Sequence, residues 1–268
     1  MRKSIFDLID KEIDFRNEYE RLYDLISTQK LLVFNDKKYT YIEIFDKYIS
    51  EWPYRGICTS FYEIAENIGI IDFPDMSAEE SCLYLCELIL NMKLFLLYIK
   101  NKIEPPEDAY HYGMYNINDY DYLCFNDKIL IDNVRYIIQK LGYEEKIIGN
   151  KIILIKNNAD ATSTAIIVED DIADLILNYN DFKIADDIKA KKDILLSLGQ
   201  YIEPMRKEIK SKNSNLEDYI FLCLNKLNIR HNNKNGKEKN DYVKNMTDKE
   251  LINWYDKLYD LILKLKEE

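Results

Sequence analysis

The sequence predicts a mainly α-helical protein, and three observations carry that prediction. Helix-start signatures recur along the chain, apolar residues follow each at spacings of three and four, and Gly and Pro are scarce, 7 and 5 in 268 residues. A hydrophobic fraction of 47% can fill real cores over this length, in one large domain or two of ordinary size.

The start signature is a Ser or Thr with Glu three residues on, where each side chain satisfies an amide the helix leaves unbonded. It occurs at Thr40/Glu43, Ser60/Glu63, Ser77/Glu80, Ser214/Glu217 and Thr247/Glu250. Behind the last come Leu251, Trp254, Tyr255, Leu258, Tyr259 and Ile262, one apolar face of a helix. Stops are legible too: Trp52-Pro53 after the helix begun at Thr40, Gly69 at a left-handed cap, and Pro105-Pro106 closing a long apolar helix. The first hundred residues therefore read as a helical bundle. Within it, Cys82 to Ile99 is the most hydrophobic run, but Glu87, Asn91 and Lys93 interrupt it. A charge at mid-bilayer costs about 2.5–3.5 kcal/mol, so the run is expected to be a buried core helix and no membrane partner is expected.

The segment Glu107-Asp-Ala-Tyr-His-Tyr-Gly-Met-Tyr is aromatic and Pro-flanked, and marks the expected boundary between an N-terminal domain, 1–110, and a C-terminal one, 118–268. His111 within it reads as a surface or packing histidine. Beyond it, Ile129 to Leu141 is a helix ended by Gly142, and then the period changes. Tyr143 to Ile148 and Lys151 to Lys156 are β-favouring runs joined by Gly149-Asn150, which predicts one small β-hairpin at about 143–156. Ile172, Leu175, Ile176 and Tyr179 form one helical stripe, and Ile184, Ile188, Leu195, Leu198, Ile202 and Met205 a longer one that Pro204 bends or ends. Glu169-Asp170-Asp171 is what the dipole favours in a first helical turn. Ser214 to Asn228 reads as a helix with Tyr219, Ile220, Cys223, Leu224 and Leu227 turned inward.

A net charge of −11 argues against a protein that coats nucleic acid non-specifically, since phosphate neutralisation needs clustered cations. The five cysteines, Cys58, Cys82, Cys86, Cys124 and Cys223, are odd in number and scattered, as in a reduced, cytoplasmic protein. Cys82 and Cys86 share a helical face, yet nothing completes a zinc set, so no metal and no cofactor is expected. The start of the chain has charges where an export signal needs an unbroken apolar core. Gly-rich nucleotide loops, the zinc-protease helix motif and the hydrolase elbow do not occur.

The unusual chemistry gathers in Asn225 to Gly236. The connection from Ile229 to Met246 is longer than helix-to-helix loops usually are. Its charge is locally positive, with Lys226, Arg230, Lys234, Lys237 and Lys239 against Glu238. Arg230 can grip a phosphate with two parallel hydrogen bonds, His231 can move a proton near neutral pH, and Asn232 and Asn233 can donate to an anionic oxygen. These are the groups metal-free RNA cleavage needs. The same residues also suit a solvated loop whose cations cap the preceding helix.

From about Asn118 onward, the order Leu141-Gly-Tyr, Gly-Asn hairpin, Lys156-Asn-Asn-Ala, Ile176-Leu-Asn-Tyr-Asn, Lys191-Lys-Asp-Ile-Leu, Tyr201-Ile-Glu-Pro and Asn228-Ile-Arg-His-Asn-Asn-Lys resembles the C-terminal domain of bacterial abortive-infection proteins of the AbiJ-like type, associated with the HEPN superfamily of helical domains. The resemblance implies a HEPN-like C-terminal helical domain carrying the hairpin, antiphage defence, a homodimer, RNA as partner and metal-independent endoribonuclease activity. HEPN ribonucleases use an Arg, a polar residue and, a few positions later, a His. Arg230 and His231 match the first half, as the catalytic pair, with Asn232, Asn233, Lys234, Lys237 and Lys239 as RNA contacts. No His follows His231, however. The other reading is a non-enzymatic interaction, sensor or regulatory module that meets a partner protein of a defence system.

Overall fold

A computed structural model describes residues 13–71, 76–104, 121–230 and 243–266, and it is mainly helical. The chain groups into two compact units, Met1–Leu154 and Ile155–Glu268. The expected ranges, 1–110 and 118–268, place the division elsewhere. The connector with Pro105, Pro106 and His111 lies outside the described residues. The strand and helix beyond the connector pair with and pack on elements that precede it, so the division falls late in the hairpin.

The first unit opens with α1 (Phe15–Ser27), capped by Asp14, whose carboxylate accepts from the Asn17 amide at 3.1 Å. A hairpin comes next, β1 (Leu32–Phe34) and β2 (Lys37–Tyr39). Its turn residues Asn35 and Asp36 both take positive φ, 46° and 65°. That is the type I′ geometry matching strand twist, and Asn and Asp tolerate it best after Gly. β3 (Leu123–Phe125) pairs antiparallel with β1, completing the order β2-β1-β3. The bundle expected for the first hundred residues thus carries a sheet edge that its sequence pattern concealed.

The helices of this unit are α2 (Tyr41–Tyr48), α3 (Phe61–Asn67), α4 (Ala78–Ile103) and α5 (Lys128–Lys140). α4 is the central one, packing on α1, α2 and α5. By length and composition alone it could cross a membrane. Its three polar interruptions show what they are for. Asn91 holds the Ile152 backbone like a neighbouring strand, donating to its carbonyl and accepting from its amide, both at 2.8 Å. Glu87 accepts from the Leu154 amide at 3.1 Å, and Lys93 reaches Asp127 at 2.7 Å. Two of the three therefore saturate the exposed backbone edge of the second hairpin, β4 (Tyr143–Ile148) and β5 (Lys151–Lys156). This hairpin has the predicted bounds; of its turn residues Gly149 takes positive φ, 58°.

Three of the five start signatures form as reciprocal boxes: Thr40/Glu43, Ser77/Glu80 and Thr247/Glu250. At Ser60 the hydroxyl caps the Glu63 amide, but the Glu63 carboxylate turns to the Thr59 amide at 2.6 Å. At Ser214 the expectation fails. Asn213 is the cap, and Glu217 is drawn into the core, fully buried.

The second unit contains α6 (Ala159–Ile167), α7 (Asp170–Tyr179), α8 (Ile188–Ile202), α9 (Arg206–Lys212), α10 (Ser214–Lys226) and α11 (Asp248–Leu263). α6 was not legible in the sequence. It starts at an Asn158 cap rather than a Ser/Glu pair, and its Ala- and Thr-rich run has no apolar stripe. Pro204 sits in a single 3-10 turn, Glu203–Met205, where α8 gives way to α9. Leu195, Leu198, Ile220, Phe221, Leu224, Tyr255, Leu258 and Tyr259 share one core. Tyr219 is exposed, contrary to expectation, and Phe221 takes the inward position. Leu224 packs so closely on α8 that a side chain at Gly199 would begin 3.0 Å from its methyl group, so only glycine fits without a shift.

Candidate nucleic-acid interface

Of the residues expected to carry function, Arg230 alone is described. His231, Asn232, Asn233, Lys234, Lys237 and Lys239 lie outside the described residues. The placement of Arg230 is built from the end of α10. Leu227 closes that helix, and Asn228 comes next in the left-handed region at φ 56°. The Ile229 amide donates back to the Leu224 carbonyl at 3.2 Å and the Asn228 amide to the Asn225 carbonyl at 3.4 Å. This is the Schellman arrangement, and Ile229 and Leu224 are both buried, as its apolar contact requires. The Arg230 amide also donates to the Leu224 carbonyl, at 3.2 Å. The backbone at Arg230 is therefore fixed by the helix it leaves.

The left-handed residue is an asparagine with a buried side-chain oxygen that has no hydrogen-bond partner among the described residues. Asn228→Gly is expected to leave the protein as stable or more stable. Asn228→Ala, which puts an unassisted Cβ in the left-handed region, should cost about 1–2 kcal/mol. Denaturant midpoints of the two variants check this; equal midpoints would contradict the motif's control of the helix end.

The Arg230 guanidinium lies over the Phe221 ring, 5.0 Å from its centroid, and pairs with Glu203. Its side chain is 18% exposed, and burial lowers its pKa from the ordinary arginine value. Arg206, at the start of α9, lies over the same ring at 4.4 Å. Its Nε donates to Glu217 Oε1 at 2.5 Å, and Lys210 reaches the other oxygen of that carboxylate at 3.5 Å. Phe221 thus carries two guanidinium groups, each with its own glutamate.

Chemically the arrangement is an anion-facing one with a local counterweight. Arginines on an aromatic ring lose little freedom when they take a planar anion, and cation–π contact keeps them oriented. Glu203 competes for Arg230 with any phosphate. Among the described residues no group of three or more His, Cys, Asp or Glu side chains could hold a metal ion. The cysteines at 58, 82, 86 and 223 are buried. Cys86, hydrogen-bonded to Cys82, has its thiol pKa pushed up by that hydrogen bond and by burial, the opposite of a reactive thiolate.

Phe221 and Arg206 were not singled out in the sequence, and Glu217 was read only as the partner of a helix cap and Glu203 only within Tyr201-Ile-Glu-Pro. The available signal was the run Arg206-Lys207-Glu208-Ile209-Lys210-Ser211-Lys212, two residues on from Pro204 and with four cations against one acid. Comparison with protein-family models, with curated proteins and with solved structures yields no match for the chain.

Proposed function

We propose that the chain is a cytoplasmic antiphage protein of the abortive-infection type whose second unit is a HEPN-like domain that contacts RNA through Arg230 and the basic segment after it. One observation carries the reading. On a chain of net charge −11, the Lys-rich segment departs from an arginine whose backbone is fixed by a helix end and whose guanidinium is held on an aromatic ring. That is a rigid base for a phosphate contact. In its catalytic form, two copies bring their segments together in a homodimer. Arg230 holds the scissile phosphate, and His231 moves the proton during attack by the neighbouring 2′-hydroxyl.

A second reading has its own observation. Glu203 already occupies Arg230, which suits a residue that closes the helix end and leaves contact with a partner protein of a defence system to other surfaces.

Binding of labelled single-stranded RNA by the full chain, measured against salt, tests the first reading. Replacing Lys234, Lys237 and Lys239 by alanine should flatten the slope of log affinity against log salt by about 0.7 for each phosphate no longer neutralised. Cleavage, where it occurs, should vanish in Arg230→Ala and in His231→Ala. Undiminished cleavage in both variants overturns the catalytic form, and absence of RNA binding overturns the RNA reading. Expression of the chain alone separates the second reading. An autonomous RNA-cutting protein slows growth, whereas an interaction module is silent without its partner.

A further inference from the structure

We infer that Arg206 is a second phosphate-contacting residue, oriented for that role by the buried carboxylate of Glu217 and by Phe221, so that the anion-binding surface of the second unit extends along α9. The inference rests on the phosphate-contacting reading of Arg230 and adds to it a residue from another helix.

The starting point is a carboxylate in an expensive position. Glu217 stands in the first turn of α10, where a side chain capping Ser214 would sit at the surface; instead it is fully buried. A buried carboxylate needs positive partners. Those it has, Arg206 and Lys210, are themselves 46% and 56% exposed at the side chain. The core therefore supplies the anchor and the surface supplies the cations. Only Nε of Arg206 is used, donating to Glu217 Oε1. Its two terminal nitrogens make no hydrogen bond among the described residues, and they form the fork that matches two phosphate oxygens. With the plane of the guanidinium set by Phe221 and its inner edge by Glu217, that fork is held in one orientation. A merely structural ion pair has no need of an arginine presented in this way.

Neighbouring charge agrees. Lys207 is exposed and has no ion pair among the described residues. Lys212 faces its own turn through Glu208 at 3.4 Å. Because Arg206 and Arg230 lie over one ring, a strand of RNA that reaches one is within reach of the other.

The test compares wild type with Arg206→Ala, Arg206→Lys and the paired change Arg206→Met/Glu217→Leu, which removes the buried carboxylate together with its cation and so protects the fold. Circular dichroism confirms that each is folded. Two probes are used: single-stranded RNA across a salt series, and inorganic phosphate, followed by the rise in melting temperature. Arg206→Ala and the paired change should each lower the salt slope on RNA by about 0.7 and should abolish stabilisation by phosphate. Arg206→Lys keeps the charge without the fork, so it should retain the slope while binding several-fold more weakly. If wild type binds RNA and the folded paired variant binds it with unchanged affinity and slope, the inference about Arg206 falls while the RNA reading stands. If wild type ignores RNA yet phosphate stabilises it and not the paired variant, the RNA reading falls and Arg206 remains an anion site. If neither probe acts on wild type, both fall.

Discussion

Replacing Asp127 by alanine is expected to destabilise the first unit by about 3 kcal/mol, the lower end of the cost of breaking a buried ion pair, because Asp127 is buried while the Lys93 side chain keeps 20% exposure. Asp127 is buried, and one oxygen accepts from two groups, the Tyr41 hydroxyl and the Lys93 ammonium at 2.7 Å. Lys93 also lies 3.5 Å above the centre of the Phe125 ring. The cluster ties α2, α4 and the β3–α5 corner at a single carboxylate. Burial already lowers the Lys93 pKa, and the attraction of Asp127 opposes that effect. Alanine removes the opposing contribution and leaves both Lys93 and the Tyr41 hydroxyl without it. Asp127→Asn should fall between, keeping hydrogen bonds but not charge. The paired change Lys93→Met/Asp127→Leu should recover most of the loss, because removing both charges spares their desolvation. Urea unfolding followed by Trp52 fluorescence in a Trp254→Phe background reads the first unit alone. A loss under about 1 kcal/mol for Asp127→Ala would show that Lys93 finds water or another acceptor instead.

How much of the fold was legible depends on whether the deciding force was local. Caps, left-handed turns and amphipathic stripes act over a few residues. The Thr40, Ser77 and Thr247 boxes, the turn to the left at Gly142 and both strands of the Gly149-Asn150 hairpin could therefore be read in advance. The Asn35-Asp36 hairpin escaped because its strands are three residues long, too short for alternation to show, and because the third strand pairs from a segment far along the chain, beyond α4. Glu217 escaped for a related reason. Its local pattern predicts a cap, and a tertiary partner at Arg206 overrides it. The sequence named Arg230 from its residue type and its company, but the ring beneath it and the glutamate beside it come from α10 and the turn after α8, contacts that no spacing rule within one segment reveals.

The clusters in the two units share a design in which an aromatic face and a carboxylate set the position of a cation. Lys93 sits over Phe125 and on Asp127; Arg206 sits over Phe221 and on Glu217; Lys191, itself buried, sits over Tyr179 and on Asp256 at 2.6 Å. What differs is the exposure of the cation. Lys191 is sealed and Lys93 nearly so, which suits packing alone, whereas about half of Arg206 faces solvent. That exposure leaves Arg206 open to an anion from solvent, whereas Arg230, at 18%, is as enclosed as Lys93 and differs from it in the Lys-rich segment that follows.

Alkaline pH is expected to unfold the second unit steeply, because three of its tyrosines must keep their protons to stay folded. Tyr179, Tyr255 and Tyr259 are each 2–3% exposed. Tyr179 and Tyr259 stack with centroids 4.0 Å apart. Burial raises all three above the ordinary tyrosine value of 10.0, Tyr255 to about 12, and Asp256 raises Tyr179 further. A group whose folded pKa lies above its unfolded one contributes stability that is complete below the unfolded value and is lost above it. Below pH 10 the contribution of these tyrosines is therefore intact. Above it, the unfolded chain releases protons that the folded chain retains, and each tyrosine removes about 1.4 kcal/mol per pH unit, so three remove about 4. Over the two units from 10 to 12 the loss reaches about 8 kcal/mol, so a domain in the lower part of the ordinary range of about 5–15 kcal/mol unfolds within that interval. Tyrosinate absorbance should accordingly rise in two phases, a shallow one from exposed tyrosines and a steep one that coincides with loss of helical circular dichroism. Tyr255→Phe removes one titrating group that makes no hydrogen bond among the described residues, and should shift the steep phase to higher pH and lessen its slope by about a third. A single smooth absorbance rise, with helical signal persisting after all tyrosines have ionised, would mean that water reaches these rings in the folded state.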